Sequence, residues 1–322
     1  MSSITQTTQA SELIQVQTLP MDQNPAAVYL ASLSEGSRRS MQQSLDTIAG
    51  LLTGNPSAFD CNWGALRFQH TQALRSMLAG SEYKYTTINK MLCALRKTLK
   101  AAWMLGQMTG EDYHRAASVE SVKGETLPAG RALSSGEIAG LMQACENDTT
   151  PAGARDAAII AILYTCGLRR AEVVTLTLDD FDQDTGAMVI NGKRNKQRTA
   201  YLVNGALHAL RDWLAIRGDE PGPLFLAINK GGKIREGRMT NQAIYNMLKK
   251  RARQAGVKSF SPHDTRRSFI SDLLDAGADI VIVAKMAGHA SVTTTARYDR
   301  RPEAAKQKTA ELLHIPYRGR LT

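Results

Sequence analysis

Between about Asn24 and Ala117, apolar residues recur at intervals of three and four in NPAAVYLASL, EGSRRSMQQSLDTIAGLL, WGALRFQHTQALRSMLAG and YKYTTINKMLCALRKTLKAAWMLG. That spacing turns one side of each segment toward a core and predicts a helical domain. In the last segment Ile88, Leu92, Leu95, Leu99, Ala102 and Trp103 share one face, while Lys90, Lys97 and Lys100 fall on the other. A solvated helix surface explains such a basic face, and so does contact with phosphates. Residues 1–22, rich in Ser, Thr and Gln, lack sustained periodicity and read as a flexible arm. In ASVESVKGETLPAGRALSSGE the periodicity lapses and Gly, Pro and Ser collect, which places a linker at 118–132 between a helical domain at 23–117 and a second domain at 133–322.

The second domain opens with Ser134 and Glu137 in a capping-box pattern before EIAGLMQAC. ARDAAIIAILYTCG reads as a buried helix ending at Gly167, which delivers Arg169 to the start of a further short helix with Glu172 one turn away. Glu172 then either decorates the helix surface or orients the groups around it. Two segments rich in β-branched and apolar residues follow, joined by a turn at Asn191-Gly192 and carrying Lys193 just beyond it. DDFDQDTG spaces Asp180, Asp182 and Asp184 like the first ligands of a calcium loop, but glycine is at the seventh place and Asn191 at the twelfth, so a strand-entry turn is expected. NKGGKIREGRMT reads as a basic loop. TNQAIYNMLKKRARQAG reads as an amphipathic helix with Ile244, Leu248 and Ala252 inward, leaving Lys249, Lys250, Arg251 and Arg253 to solvent or to phosphates. A last helix is expected from about Pro302 to Leu313, with Leu312, Leu313 and Ile315 at its apolar end. The whole is mainly α with a small β-sheet.

Charge narrows the partners. Forty Lys and Arg against thirty Asp and Glu give a formal charge of +10, a physical reason to expect a polyanion. No apolar run reaches the 18 or so residues of a membrane span, and the opening MSSITQTTQASE lacks a signal pattern, so a soluble cytoplasmic protein is expected. Cys61, Cys93, Cys145 and Cys166 form no CxxC pair and have no histidine at metal-ligand spacing; they read as reduced thiols, and neither a metal nor a cofactor is expected.

The residues able to do chemistry are Arg169 in CGLRRAE, Lys193 in GKRNKQR, His263 and Arg266 in SPHDTRRSF, His289 in MAGHAS and Tyr298 in ARYDRR. Their types meet the needs of phosphodiester transesterification. Two guanidiniums hold a phosphate bidentately as charge builds on its nonbridging oxygens, and histidine or lysine moves the protons.

In order, spacing and local text (GLRxxE, GKxNKxR, PHxxR, GHxS), these positions resemble the tyrosine recombinases, which include the phage integrases and the Xer-like and Cre-like enzymes. The resemblance covers about Arg131 to the end. It implies a helical core-binding domain and a mixed α/β catalytic domain that clamp DNA between them. It also implies Tyr298 as nucleophile, Arg169, Arg266 and His289 as phosphate ligands, Lys193 as acid to the 5′ oxygen and His263 as proton acceptor for the tyrosine. Lys90, Lys97, Lys100, Arg194, Lys196, Lys249, Lys250 and Arg253 are then expected along the DNA backbone. Implied partners are double-stranded DNA with a specific recombination site, a homotetramer with exchanged C-terminal tails, and in some relatives an accessory DNA-bending protein, all in the nucleoid. Arg194, Ala287 and Arg267 depart from the family's common glycine, leucine and histidine. A non-cleaving architectural or regulatory DNA-binding protein, a type IB topoisomerase and a hairpin-forming resolvase remain as other readings.

Overall fold

The computed structural model describes residues 19–124, 130–192, 197–229 and 231–299, together with 310, 313, 315 and 316. The chain divides into two compact units, Met1–Leu127 and Pro128–Thr322. Among the described residues no helix is long and apolar enough to cross a membrane.

The first unit is helical. Its elements are α1 (Pro25–Ala31), α2 (Glu35–Thr53), α3 (Phe68–Ala79), α4 (Tyr85–Met104) and α5 (Gly110–Ala117). Asn24 starts the bundle: its side chain accepts from the Ala26 and Ala27 N–H groups, and Pro25 occupies the first turn where its missing N–H is harmless. The long α4 buries Ile88, Leu92, Leu95, Leu99 and Ala102 around Trp63, as its periodicity predicts. Trp103 is only half-buried and stacks on Tyr113 with ring centroids 4.9 Å apart. Lys97 and Lys100 are exposed, whereas Lys90 Nζ is engaged with Ser40 Oγ on α2 at 3.1 Å.

The second unit runs α6 (Ser135–Glu146), α7 (Pro151–Thr165), α8 (Arg170–Thr175), β1 (Ala187–Asn191), β2 (Gln197–Tyr201), α9 (Asn204–Arg217), β3 (Leu226–Ile228), β4 (Ile234–Arg238), α10 (Asn241–Gln254), α11 (Pro262–Asp275), α12 (Ile280–Ala287) and α13 (Val292–Ala296). The Ser134–Glu137 capping box forms as expected. Helix α7 is almost wholly buried and packs against α6, α9 and α11, so it is the axis of this unit.

Among the described residues the small β content is two antiparallel hairpins, β1–β2 and β3–β4. Asn191 is a strand residue opposite Gln197, so the two strands are not joined by a two-residue turn at Asn191-Gly192. Residues 193–196 lie outside the described part, and with them Lys193, Arg194 and Lys196. The expected loop NKGGKIREGRMT instead contains β4, because Ile234 pairs with Ile228 and Gly232, at φ 78°, supplies the reversal. At DDFDQDTG, Asp182 accepts from the N–H groups of Asp184 and Thr185, closing the expected turn.

Helix α10 buries Ile244, Leu248 and Ala252, and it also buries Arg251, which corrects the expectation of a solvent or phosphate role. Arg251 Nε donates to Asp156 at 2.9 Å and Nη2 to Asp148 at 2.7 Å, while Arg155 holds the other Asp156 oxygen at 2.8 Å. Arg253, Lys249 and Lys250 are exposed; Lys249 Nζ lies 4.7 Å from the Tyr245 ring centroid and Lys250 Nζ 3.8 Å from Asp148. The expected helix at 302–313 lies outside the described residues except Ala310 and Leu313, and Leu313 and Ile315 are exposed.

Removing one partner of a buried ion pair strands the others. Arg251→Ala is expected to destabilise the second unit by about 3–5 kcal/mol, read as a lower urea midpoint. Burial raises the Asp148 carboxyl, but hydrogen bonds from Thr150 and Arg251 outweigh that and hold it at about 2. This folded-state value is depressed, so its stabilisation is present above the carboxylate's usual titration range. It should be lost as pH falls toward about 2, and less of it should be lost in Arg251→Ala.

Candidate active site

Helix α7 stops at Thr165, and Gly167 turns the chain at φ 58°. A Cβ there would overlap the Phe269 ring, so glycine is required by backbone and packing alike. The turn sets Arg169 at the N-cap of α8. Its N–H donates to Glu172 Oε2 and its Nη1 to Glu172 Oε1, both at 2.8 Å. From β2, Arg198 reaches the same carboxylate with Nη2 at 2.7 Å and Nη1 at 3.1 Å, and its Nε donates to Met286 O at 3.1 Å. Glu172 is buried at 5% exposure, which decides its role: it orients arginines and does not decorate a surface.

Helix α11 supplies the next groups from its first turns. Ser261 and Asp264 cap it, with the Ser261 N–H donating to Asp264 Oδ2 at 2.8 Å, and Pro262 fits the first turn. This fixes His263, Arg266 and Arg267 at the helix start. Arg266 is 2% exposed; its Nη1 donates to Gly167 O at 2.5 Å and its Nη2 to Ala287 O. Burial and then the nearby charge of Arg169 push its guanidinium down to about 10, still protonated at neutral pH.

Gly288, left-handed at φ 64°, ends α12, and the half-buried His289 follows it. Ser291 caps the short α13, which carries the chain back to Tyr298. His263 Nε2 lies 3.2 Å from Tyr298 Oη, and the His289 and Tyr298 rings stack with centroids 6.3 Å apart. His289 Nδ1 is 2.8 Å from the buried Thr295 hydroxyl. Burial, followed by Arg266 and Arg267, lowers the His263 imidazole; burial, followed by Arg266 and Arg169, lowers His289 to about 4. Both are therefore neutral at pH 7, able to accept or donate a single proton.

Arg169, Arg170, Tyr245, Ser261, Pro262, His263 and Arg266 line a cavity of about 310 Å³. The structure thus gathers Arg169, His263, Arg266, His289 and Tyr298, with Lys193 outside the described residues. Arg198 closes the GKxNKxR motif, and only its contact with Glu172 reveals a role for it. Thr295 carried no sequence signal. The other histidines differ: His70, for instance, accepts from the Arg67 N–H within the α3 cap of the other unit.

The profile of the phage integrase family matches residues 131–304. The chain belongs to the phage integrase family of tyrosine recombinases. It is 30% identical over 243 residues to tyrosine recombinase XerC of Alcanivorax borkumensis (strain SK2), spanning 73% of this chain and 76% of that protein. Tyrosine recombinase XerD of Mycobacterium tuberculosis (strain H37Rv) is 35% identical over 179 residues, 52% of this chain and 56% of that one. The recombinase also shares its fold with the Tn1549 transposon integrase solved with transposon right end DNA, at a TM-score of 0.67 and 15% identity, covering 90% of this chain and 99% of that chain. Site-specific recombination is accordingly the activity of this recombinase.

The imidazole of His289 should stay neutral from pH 8 down to about 5 and take up a proton only near pH 4, as nitrogen-15 NMR of the full chain would show. Because the folded value is lowered, protonation favours the unfolded chain, and stability should fall as pH drops below the usual histidine range. A normal titration near 6.5 would contradict the crowding of positive charge described above.

Proposed function

We propose that the recombinase cuts and rejoins double-stranded DNA at a specific site through a covalent link to Tyr298. The observation that carries this reading is the 3.2 Å approach of His263 Nε2 to Tyr298 Oη beside the arginine-lined cavity. A tyrosine whose proton has a neutral imidazole to go to, next to a pocket that attracts one phosphate, is equipped for nucleophilic attack.

In the forward step Tyr298 Oη gives its proton to His263 Nε2 and forms a bond to phosphorus. The bond to the 5′ oxygen breaks, and Lys193 supplies that oxygen with a proton. Arg169, Arg266 and His289 donate to the nonbridging oxygens, where charge grows in the transition state; losing one such donor costs roughly 10²–10³ in rate at comparable oxyanion sites. The Thr295 hydroxyl lies 2.8 Å from Nδ1 of His289, and by donating there it would leave the proton on Nε2, the form that can donate to phosphate. The products are a 3′-phosphotyrosine and a free 5′ hydroxyl. One phosphodiester has replaced another, so the reverse attack needs no ATP and no metal to drive it.

Two DNA sites exchanged strand by strand pass through a Holliday junction held by a tetramer. The exposed Lys97, Lys100, Lys249, Lys250 and Arg253, with Lys90, Arg194 and Lys196, bind backbone phosphates and position the duplex without reading sequence. The exposed apolar Leu313 and Ile315 fit a tail that docks on a neighbouring protomer.

Incubation in chelator with DNA flanking its own gene and a nicked random-sequence library, followed by denaturation and sequencing of retained DNA, should recover covalent adducts with the wild type and none with Tyr298→Phe. Retention by neither would leave the protein a DNA binder that does not cleave. Truncation after residue 303 should abolish recombination between two such sites while single-site binding persists; unchanged recombination would exclude tail exchange.

A further inference from the structure

Arg267 follows Arg266 directly on α11, yet it faces a different place. One residue along a helix turns the side chain by about 100°, so Arg266 meets Gly167 O and Ala287 O while Arg267 lies under Tyr298. Its guanidinium carbon is 5.3 Å from the centroid of the Tyr298 ring, within the range of a cation–π contact. The residue is only 6% exposed. It does not line the cavity beside Arg169 and Arg266, and its charge acts on His263 as well as on the Tyr298 ring.

Three groups frame that ring: His263 at the hydroxyl, His289 stacked on the ring, and Arg267 over it. Ser271 Oγ donates to Tyr298 O at 3.3 Å, fixing the backbone behind it. Around this position Phe269, Ile270, Leu274, Val283 and Ala287 form an apolar cluster against which Tyr298 packs. In the reaction the phenol beside Arg267 is where negative charge arises.

We propose that Arg267 is a positioning residue for the nucleophile: it holds the Tyr298 ring in line with His263 and attracts the negative charge that spreads into that ring as the hydroxyl proton leaves. The inference rests on the reading of Tyr298 as the nucleophile. The step is the one already written, with the proton passing from Tyr298 Oη to His263 Nε2 as the bond from Oη to phosphorus forms. Arg267 changes no bond. Its contact with the ring strengthens as the phenol ionises, an interaction stronger in the transition state than before it, which is the kind that accelerates a step. A permanently charged side chain does this at every working pH. The histidine common at this position in the family would do so only when protonated.

The test uses Arg267→Met, which keeps length and removes charge, and Arg267→Lys, which restores charge, each in the full chain. Single-turnover adduct formation on a nicked duplex of the captured sequence should slow by about 10- to 30-fold in Arg267→Met with DNA affinity unchanged, and most of the rate should return in Arg267→Lys. In carbon-13-tyrosine spectra of the DNA-free protein, assigned with Tyr298→Phe, the Tyr298 ring signal should move in Arg267→Met and stay near its wild-type position in Arg267→Lys. A wild-type rate in Arg267→Met overturns the proposal, as does a lysine variant that folds and is as slow as the methionine one. Should the wild type form no adduct, the nucleophile reading fails by itself. An unmoved Tyr298 signal in Arg267→Met then rejects the placement independently of DNA.

Discussion

The buried carboxylate of Glu172 is the interaction on which the site depends. Three arginines, Arg169, Arg198 and Arg266, crowd into a small volume, and like charges at such separations repel in a medium less polar than water. Glu172 answers two of them by accepting four hydrogen bonds, two from Arg169 at the start of α8 and two from Arg198 on β2. Burial raises its carboxyl, but the bonds from Arg198 and Arg169 win, so it stays ionised and below the usual range. Remove the carboxylate and the arginine cluster loses its counter-charge and its geometry together. The same anion joins the hairpin to the helix, so the strand leading away from Lys193 is tied at Arg198 to the turn that carries Arg169.

Backbone breaks do the remaining placement. Five of the candidate groups stand at or near a helix boundary: Arg169 at the start of α8, His263 and Arg266 in the first turns of α11, His289 just past the end of α12, Tyr298 just past α13. Gly167 and Gly288 take left-handed conformations that side chains resist, and their neighbours use the resulting corners. The carbonyl of Gly167 accepts from Arg266, while the carbonyl of Gly288 lies 3.5 Å from Arg169 Nη2. Turns that end helices thus become ligands that hold the arginines.

Much of this could be read along the chain, because helix caps and apolar periodicity are local. Ser134 with Glu137, the inward face of α4 and the arrival of Arg169 at a helix start all follow from residues a few places apart. What escaped reading is non-local. Arg251 sits among lysines and arginines in sequence and looks solvated, but Asp148 and Asp156, about a hundred residues earlier, pull it inward. Arg198 needed Glu172 across the fold to acquire a role. The β3–β4 hairpin hid behind glycines that read as loop, since pairing between Ile228 and Ile234 is a tertiary fact. Arg267 is visible as a departure from family habit, though only the fold shows the ring beside it.

The buried Arg155–Asp156–Arg251–Asp148 cluster changes the meaning of the formal charge. Charges that neutralise one another inside the protein gather no ion atmosphere and displace none when a polyanion arrives. Counterions are released by cations that meet phosphates at the surface, so the ionic-strength dependence of DNA affinity measures contacts rather than composition. For this chain the +10 therefore gives the direction of the attraction, and the count of exposed lysines and arginines facing DNA gives its steepness.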